Sequence, residues 1–158
     1  MFEILFLMSF TLHNLEEAIW LPKWSKSAGK YHPQVTNNEF HFALFIITIF
    51  GYIVTSLFLS VGHFNEILKY IYLGFILMMC LNALFPHFLA TITLKRYAPG
   101  TLTGLFLNLP IGLFVVVGIY GRDLEFFKLI VGGIIVTGVI WISLPPLFKL
   151  GKKLIDEY

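Results

Sequence analysis

Charge is scarce in this chain. Asp, Glu, Lys and Arg make up 13% of its 158 residues against 58% hydrophobic residues, whereas soluble domains carry about 25% charged residues. Too little polarity is present to cover a water-facing surface, and this excludes an ordinary soluble domain. No nucleic-acid partner is expected either. Cysteine is nearly missing: Cys80 is the single one, so no intramolecular disulfide can form and a thiolate metal site is disfavoured. A basic leader is absent as well. Glu3 stands where a secretory signal would carry positive charge, and no small-x-small cleavage site follows. Residues 1–20 are therefore expected to stay in the mature chain. There is no internal repeat or low-complexity tract.

What the chain has instead is long apolar runs, with a mean hydropathy of +0.83. Five stretches, about 1–21, 40–61, 67–89, 102–120 and 124–144, approach the roughly 20 residues a helix needs to cross about 30 Å of hydrocarbon. The connections carry breakers: Pro22, Gly29 and Pro33 in the first, Gly62 with the N-cap candidate Asn65 in the second, Pro99-Gly100 in the third. In the short fourth, Gly121-Arg122-Asp123, Asp123 is a candidate cap for the last helix. Short connections join antiparallel neighbours. The expected fold class is all-α: one integral membrane domain of five transmembrane helices. After Pro145-Pro146, lysines alternate with apolar residues over 147–158, the pattern of an amphipathic segment lying on anionic lipid.

Basic residues set the expected orientation. Lys23, Lys26 and Lys30 lie in the first connection, Lys95 and Arg96 in the third, and Lys149, Lys152 and Lys153 in the tail; only Lys69, Arg122 and Lys128 fall on the opposite side. The excess places the N-terminus outside and the C-terminus in the cytoplasm.

Against this apolar background, His13-Asn14-Leu15-Glu16-Glu17 is costly. Each ionisable side chain within a spanning helix costs roughly 2.5–3.5 kcal/mol by insertion scales. Residues three and four apart share a helix face, which stacks His13 over Glu16 and Glu17. Threading the chain through five spans brings further polar residues to the same leaflet: Glu39 and His41 at the start of helix 2, Asn82 and His87 late in helix 3, and Thr101 and Thr103 at the start of helix 4. Imidazole with carboxylate suits Zn, Fe or Mn. His13 and Glu17 form the natural pair on one helix, with His87 and then His41 as distal ligands. Glu16 and His13 are the candidate catalytic groups, Glu16 as general base. Asn82, Thr101 and Arg96 are candidate substrate contacts. His32 and His63 fall in connections and are expected to be solvated, and Asn108 with Pro110 is expected to accommodate a kink.

The His13-x-x-Glu16-Glu17 motif in the first of five helices, the Asn82-to-His87 stretch and the Tyr97-Ala98-Pro99-Gly100-Thr101 turn together resemble the HXXEE domain family of small membrane proteins. The resemblance implies an architecture and a candidate site at His13, Glu16 and Glu17, without a reaction.

Three functions follow as expectations. The leading one is a metal-dependent membrane hydrolase acting on a lipid or other hydrophobic substrate at the cytoplasmic leaflet. The second is a metal-independent His/Glu acid–base isomerase of lipids. The third is a small cation- or proton-coupled carrier or binding protein, to which a homodimer would supply the internal symmetry that many transporters show.

Overall fold

A computed structural model of the chain describes residues 1–62 and 64–156. His63, expected in solvent, and the last two residues of the tail lie outside the described residues. The described residues form an all-α bundle with no strand. Its helices are α1 (Phe2–Ser25), α2 (Asn37–Gly62), α3 (Glu66–Thr93), α4 (Thr101–Ile119) and α5 (Phe126–Ile155). The last four are long and apolar enough to cross a membrane. α1 has the length, but His13, Asn14, Glu16 and Glu17 dilute its hydropathy.

Local chemistry explains where the helices begin and end. α2 starts at Asn37, three residues before the expected boundary, because Thr36 and Glu39 form a reciprocal capping box: Glu39 N donates to Thr36 Oγ1 at 3.3 Å and Thr36 N to Glu39 Oε2 at 2.8 Å. Asn65 caps α3 by accepting from Leu68 N at 3.1 Å. Asp123 does not cap α5. Glu125 holds that position without a side-chain capping bond, and Asp123 lies in a preceding 3₁₀ turn.

The prolines behave differently from one another. α1 runs through Pro22 to Ser25, and Ser25 Oγ donates to the Pro22 carbonyl at 2.9 Å. α5 passes through Pro145-Pro146 without a break, so residues 147–155 continue it as its last turns and do not form a separate element. Ser143 Oγ bonds the Ile140 carbonyl at 2.8 Å, in the turn that precedes the prolines. Gly151 is buried, and a Cβ there would lie 2.8 Å from Phe42 Cβ. The end of α5 therefore docks on the start of α2. In α3 proline breaks the helix outright. The residue before proline is pushed toward extended backbone, and Phe85 adopts φ −135° and ψ 121° ahead of Pro86.

α1 buries a stripe of Phe6, Phe10, His13, Glu17, Leu21 and Trp24, spaced by three and four as one helix face requires. Phe6 and Phe10 meet Phe75 of α3 edge-on, with ring centroids 6.0 and 5.1 Å apart. A second apolar cluster joins Leu21, Trp24 and Phe40 to Ala28, Val35 and Ala98 of the first and third connections. His13 and Glu17 fall on the stripe between these clusters, held by packing above and below.

α3 and α5 approach through glycine. A Cβ on Gly132 would overlap the Tyr70 carbonyl oxygen, and one on Gly74 would overlap the Gly132 carbonyl carbon. Small residues permit such backbone contact. Gly132→Val should therefore lower stability by about 1–3 kcal/mol, the usual cost of overpacking. A Cβ on Gly138 would meet nothing within 4 Å, so Gly138→Ala should be neutral or mildly stabilising. Thermal unfolding of both variants in detergent checks the contrast.

Candidate metal centre

Three buried side chains converge between α1 and α3. His13 Nε2 lies 3.7 Å from Glu17 Oε1, and His87 Nε2 lies 3.0 Å from the same oxygen. One donor atom from each of the three falls within 4.8 Å of the others. The imidazoles stand edge to face with centroids 5.3 Å apart. His13 is 0% exposed and His87 4%.

The break in α3 makes this possible. Asn82 and His87 are five residues apart and would point about 140° apart on a straight helix. With the wide turn over Ala83–Phe88 and the extended Phe85, Asn82 Nδ2 instead lies 3.0 Å from His87 Nε2 and 3.3 Å from His13 Nε2. Asn82 thus spans the two imidazoles.

Glu16 faces a different set of partners. Its Oε1 accepts from Gly100 N at 2.7 Å and from the Tyr97 hydroxyl. Its Oε2 accepts from Thr103 N at 3.0 Å and Thr103 Oγ1 at 2.6 Å. The carboxylate therefore caps the N-terminus of α4, where free amides and the helix dipole favour an anion. Partial burial and the bond to Glu16 push the Tyr97 phenol up to about 12, so it remains a donor at neutral pH. Glu16 was expected as a general base, but four donors occupy its oxygens and its place is structural.

These bonds fix the tautomer of His13. Thr103 spends its hydroxyl proton on Glu16, so its oxygen can only accept from His13 Nδ1, 3.1 Å away. The Nδ1 carries the proton, and Nε2 presents a bare lone pair to Glu17. Carboxylate, hydroxyl and imidazole in series are the outer support that orients a ligating histidine. Gly100, at φ +88°, closes the other side: a Cβ there would lie 2.8 Å from His13 Cε1 and 3.0 Å from His87 Cε1.

α1 separates two cavities. The inner one, about 470 Å³, is lined by His13, Glu17, Asn82 and His87 among apolar walls. The outer groove, about 800 Å³, reaches Glu16, Tyr97 and Thr103 from the far side of α1. The remaining expected site residues are spread more widely. His41 stands apart from the centre: it is exposed, and its Nε2 meets the Ala18 carbonyl at 2.8 Å, because that face of α2 turns toward the end of α1. Thr101 Oγ1 pairs with Thr91 Oγ1 at 2.8 Å and lines neither cavity. Arg96 donates to Ser27 Oγ at 2.7 Å and lines the outer groove. His32 was expected in solvent, yet it is half-buried and lines the inner cavity. Its Nδ1 donates to the Pro33 carbonyl at 2.6 Å, which leaves Nε2 bare, and burial holds its pKa below the usual value.

The molecule is thus a helical bundle with a buried cluster of two histidines and one carboxylate, supported by an anchored glutamate. Residues 4–115 match the family described as protein of unknown function with HXXEE motif. The chain belongs to this HXXEE family. It is also 44% identical over 153 residues to YrkK, an uncharacterized protein of Bacillus subtilis (strain 168), covering 96% of each chain. No solved structure matches the chain.

The two glutamates should respond differently to neutralisation. Glu16→Gln puts an amide donor among four donors and should destabilise the fold by about 1–3 kcal/mol, the cost of stranding buried polar groups. Glu17→Gln removes a buried charge whose partners are two imidazoles and should leave stability within about 1 kcal/mol. Chemical unfolding in detergent micelles, with each variant compared with wild type, reads this difference.

Proposed function

We propose that the protein is an integral membrane metalloenzyme, a hydrolase of lipid or other hydrophobic esters, amides or phosphoesters, with its metal on His13, Glu17 and His87. The membrane reading is supported by the exterior. Ile19, Phe45, Phe126 and Ile142 are 62–78% exposed, an apolar surface suited to lipid. Arg96 bonds Ser27, so the first and third connections share one end of the bundle. The excess of Lys and Arg supports a cytoplasmic position for that end and the C-terminus.

The observation that carries the metal reading is the meeting of three buried donor atoms, one each from His13, Glu17 and His87, within 4.8 Å of one another. His13 Nε2 is bare, and Glu17 Oε1 is an acceptor 3.7 Å away. The Asn82 amide can donate to Nε2, but it offers nothing to the facing carboxylate oxygen, and a cation between the two would satisfy both. Four-coordinate ligand bonds of about 2.0–2.2 Å imply donor separations of about 3.3–3.6 Å. The 3.7 and 3.0 Å from the Glu17 oxygen to the two imidazoles bracket that range, and all three donor atoms lie within 4.8 Å of one another. A divalent ion on three protein donors supplies Lewis acidity and activates water near neutral pH.

The chain's own groups complete the site. Asn82 Nδ2 is an amide donor beside the cluster, suited to a developing oxyanion. Phe10, Ile47, Met78, Met79 and Ile140 form apolar walls for a hydrocarbon chain. His32, neutral with a bare Nε2 at the same cavity, takes the proton-accepting part first expected of Glu16.

Purified protein reconstituted with Zn, Mn or Fe(II) should retain about one ion per chain by elemental analysis. Glu17→Gln and His87→Ala should lose it. Thr103→Val, which frees the His13 ring, should weaken affinity by about 10–100-fold. Wild type holding no more metal than Glu17→Gln would defeat the metal reading. A proton could serve as the cation instead, since Glu17 and His87 stand at hydrogen-bond distance. Lipid turnover that survives strong chelators would favour that acid–base alternative.

A further inference from the structure

The outer groove has a different character from the cavity that holds the proposed metal. Its long wall is aliphatic: Leu12, Leu15 and Ile19 of α1 and Leu102 of α4, each roughly half or more exposed at 49%, 54%, 65% and 56%. Its end is basic and aromatic, with Lys23, Arg96, Trp20 and Tyr97. Arg96 bonds Ser27 Oγ, and neither Arg96 nor Lys23 forms an ion pair with a carboxylate among the described residues. Glu16 also borders the groove, but its oxygens are taken by Gly100, Thr103 and Tyr97. Two cations are therefore left uncompensated beside an exposed apolar wall.

We propose that this groove binds one anionic phospholipid of the surrounding bilayer, its phosphate between Lys23 and Arg96 and an acyl chain along Leu12, Leu15 and Ile19. The inference rests on the membrane reading above and is independent of the metal. Charge complementarity identifies the occupant. A phosphate with a further negative headgroup gains from both cations, whereas the aliphatic wall accepts the chain of any lipid. The arrangement follows the helix directly. Positions 12, 15, 19 and 23 recur at spacings of three and four and lie on one face of α1, so Lys23 stands one turn beyond the apolar stripe. Trp20 and Trp24 lie at the same level, as residues at the headgroup boundary do. The bound lipid would lie against Tyr97 and Thr103, the residues through which Glu16 supports His13.

Quenching of tryptophan by brominated lipids tests this. A Trp141→Phe chain retains Trp20 and Trp24 as reporters at the groove and should be reconstituted with brominated phosphatidylcholine or brominated phosphatidylglycerol. Quenching by both establishes exposure to the bilayer. Stronger apparent binding of the anionic lipid is the result expected from the groove, and it should fall roughly fivefold for each basic residue removed in Lys23→Gln and Arg96→Gln. Lys23 makes no ion pair among the described residues that its replacement would disturb, so that variant keeps the test independent of folding. Lys128→Gln, at the opposite end and paired with Glu66 and Glu125, should leave the preference unchanged. Equal quenching by the two lipids overturns the proposal while leaving the membrane reading intact. So does a preference insensitive to Lys23→Gln, or one lost equally in Lys128→Gln. Quenching by neither lipid overturns the membrane reading itself.

Discussion

The Glu16 carboxylate is the constraint on which the rest of the site depends. It ties the middle of α1 to the first turn of α4 through two backbone amides and two hydroxyls. A charge at that depth is tolerable because the N-terminus of a helix offers unsatisfied donors and a positive dipole end. The same bonds place Gly100 against both imidazoles and fix the proton of His13 on Nδ1. One anion thus sets the position of a helix, the shape of a turn and the tautomer of a ring. The neighbouring Glu17 is left to do something else.

This division between adjacent glutamates was not legible in their spacing. A helix face shared by residues 13, 16 and 17 predicts proximity, and it does bring Glu17 to His13. Which carboxylate faces the cavity depends on rotation of α1, and that is set by the stripe from Phe6 to Trp24. The convergence of Asn82 and His87 on helix 1 was legible from topology, because antiparallel spans put their ends at a common depth. Their mutual contact was not, since it requires a break at Phe85 that a straight helix would forbid.

The other departures have similar causes. Gly100 and Thr103 contribute backbone amides, which residue type does not announce, although the Tyr97–Thr101 turn marks the region. His41 is at the right depth by sequence, but depth fixes only one coordinate and its face of α2 meets Ala18. His32 lies far along a polar connection, yet that connection folds back over the helix ends. Val35 N bonds Ser25 Oγ at 3.2 Å, which turns the loop inward. The fourth and fifth helices were recognisable from apolar length, while the course of α5 beyond Pro145-Pro146 depended on where its end could dock.

That last helix has an evolutionary consequence. The family match ends at residue 115, before α5 begins, yet Ile140, Trp141, Leu144, Pro145 and Phe148 of α5 line the inner cavity. Donor atoms and much of the cavity's far wall therefore belong to separate stretches of chain. Substitution along α5 can reshape what fits beside the cluster without disturbing a single residue that builds it. The wall of the cavity and the cluster it surrounds are thus set by different lengths of chain, and one can vary while the other is kept.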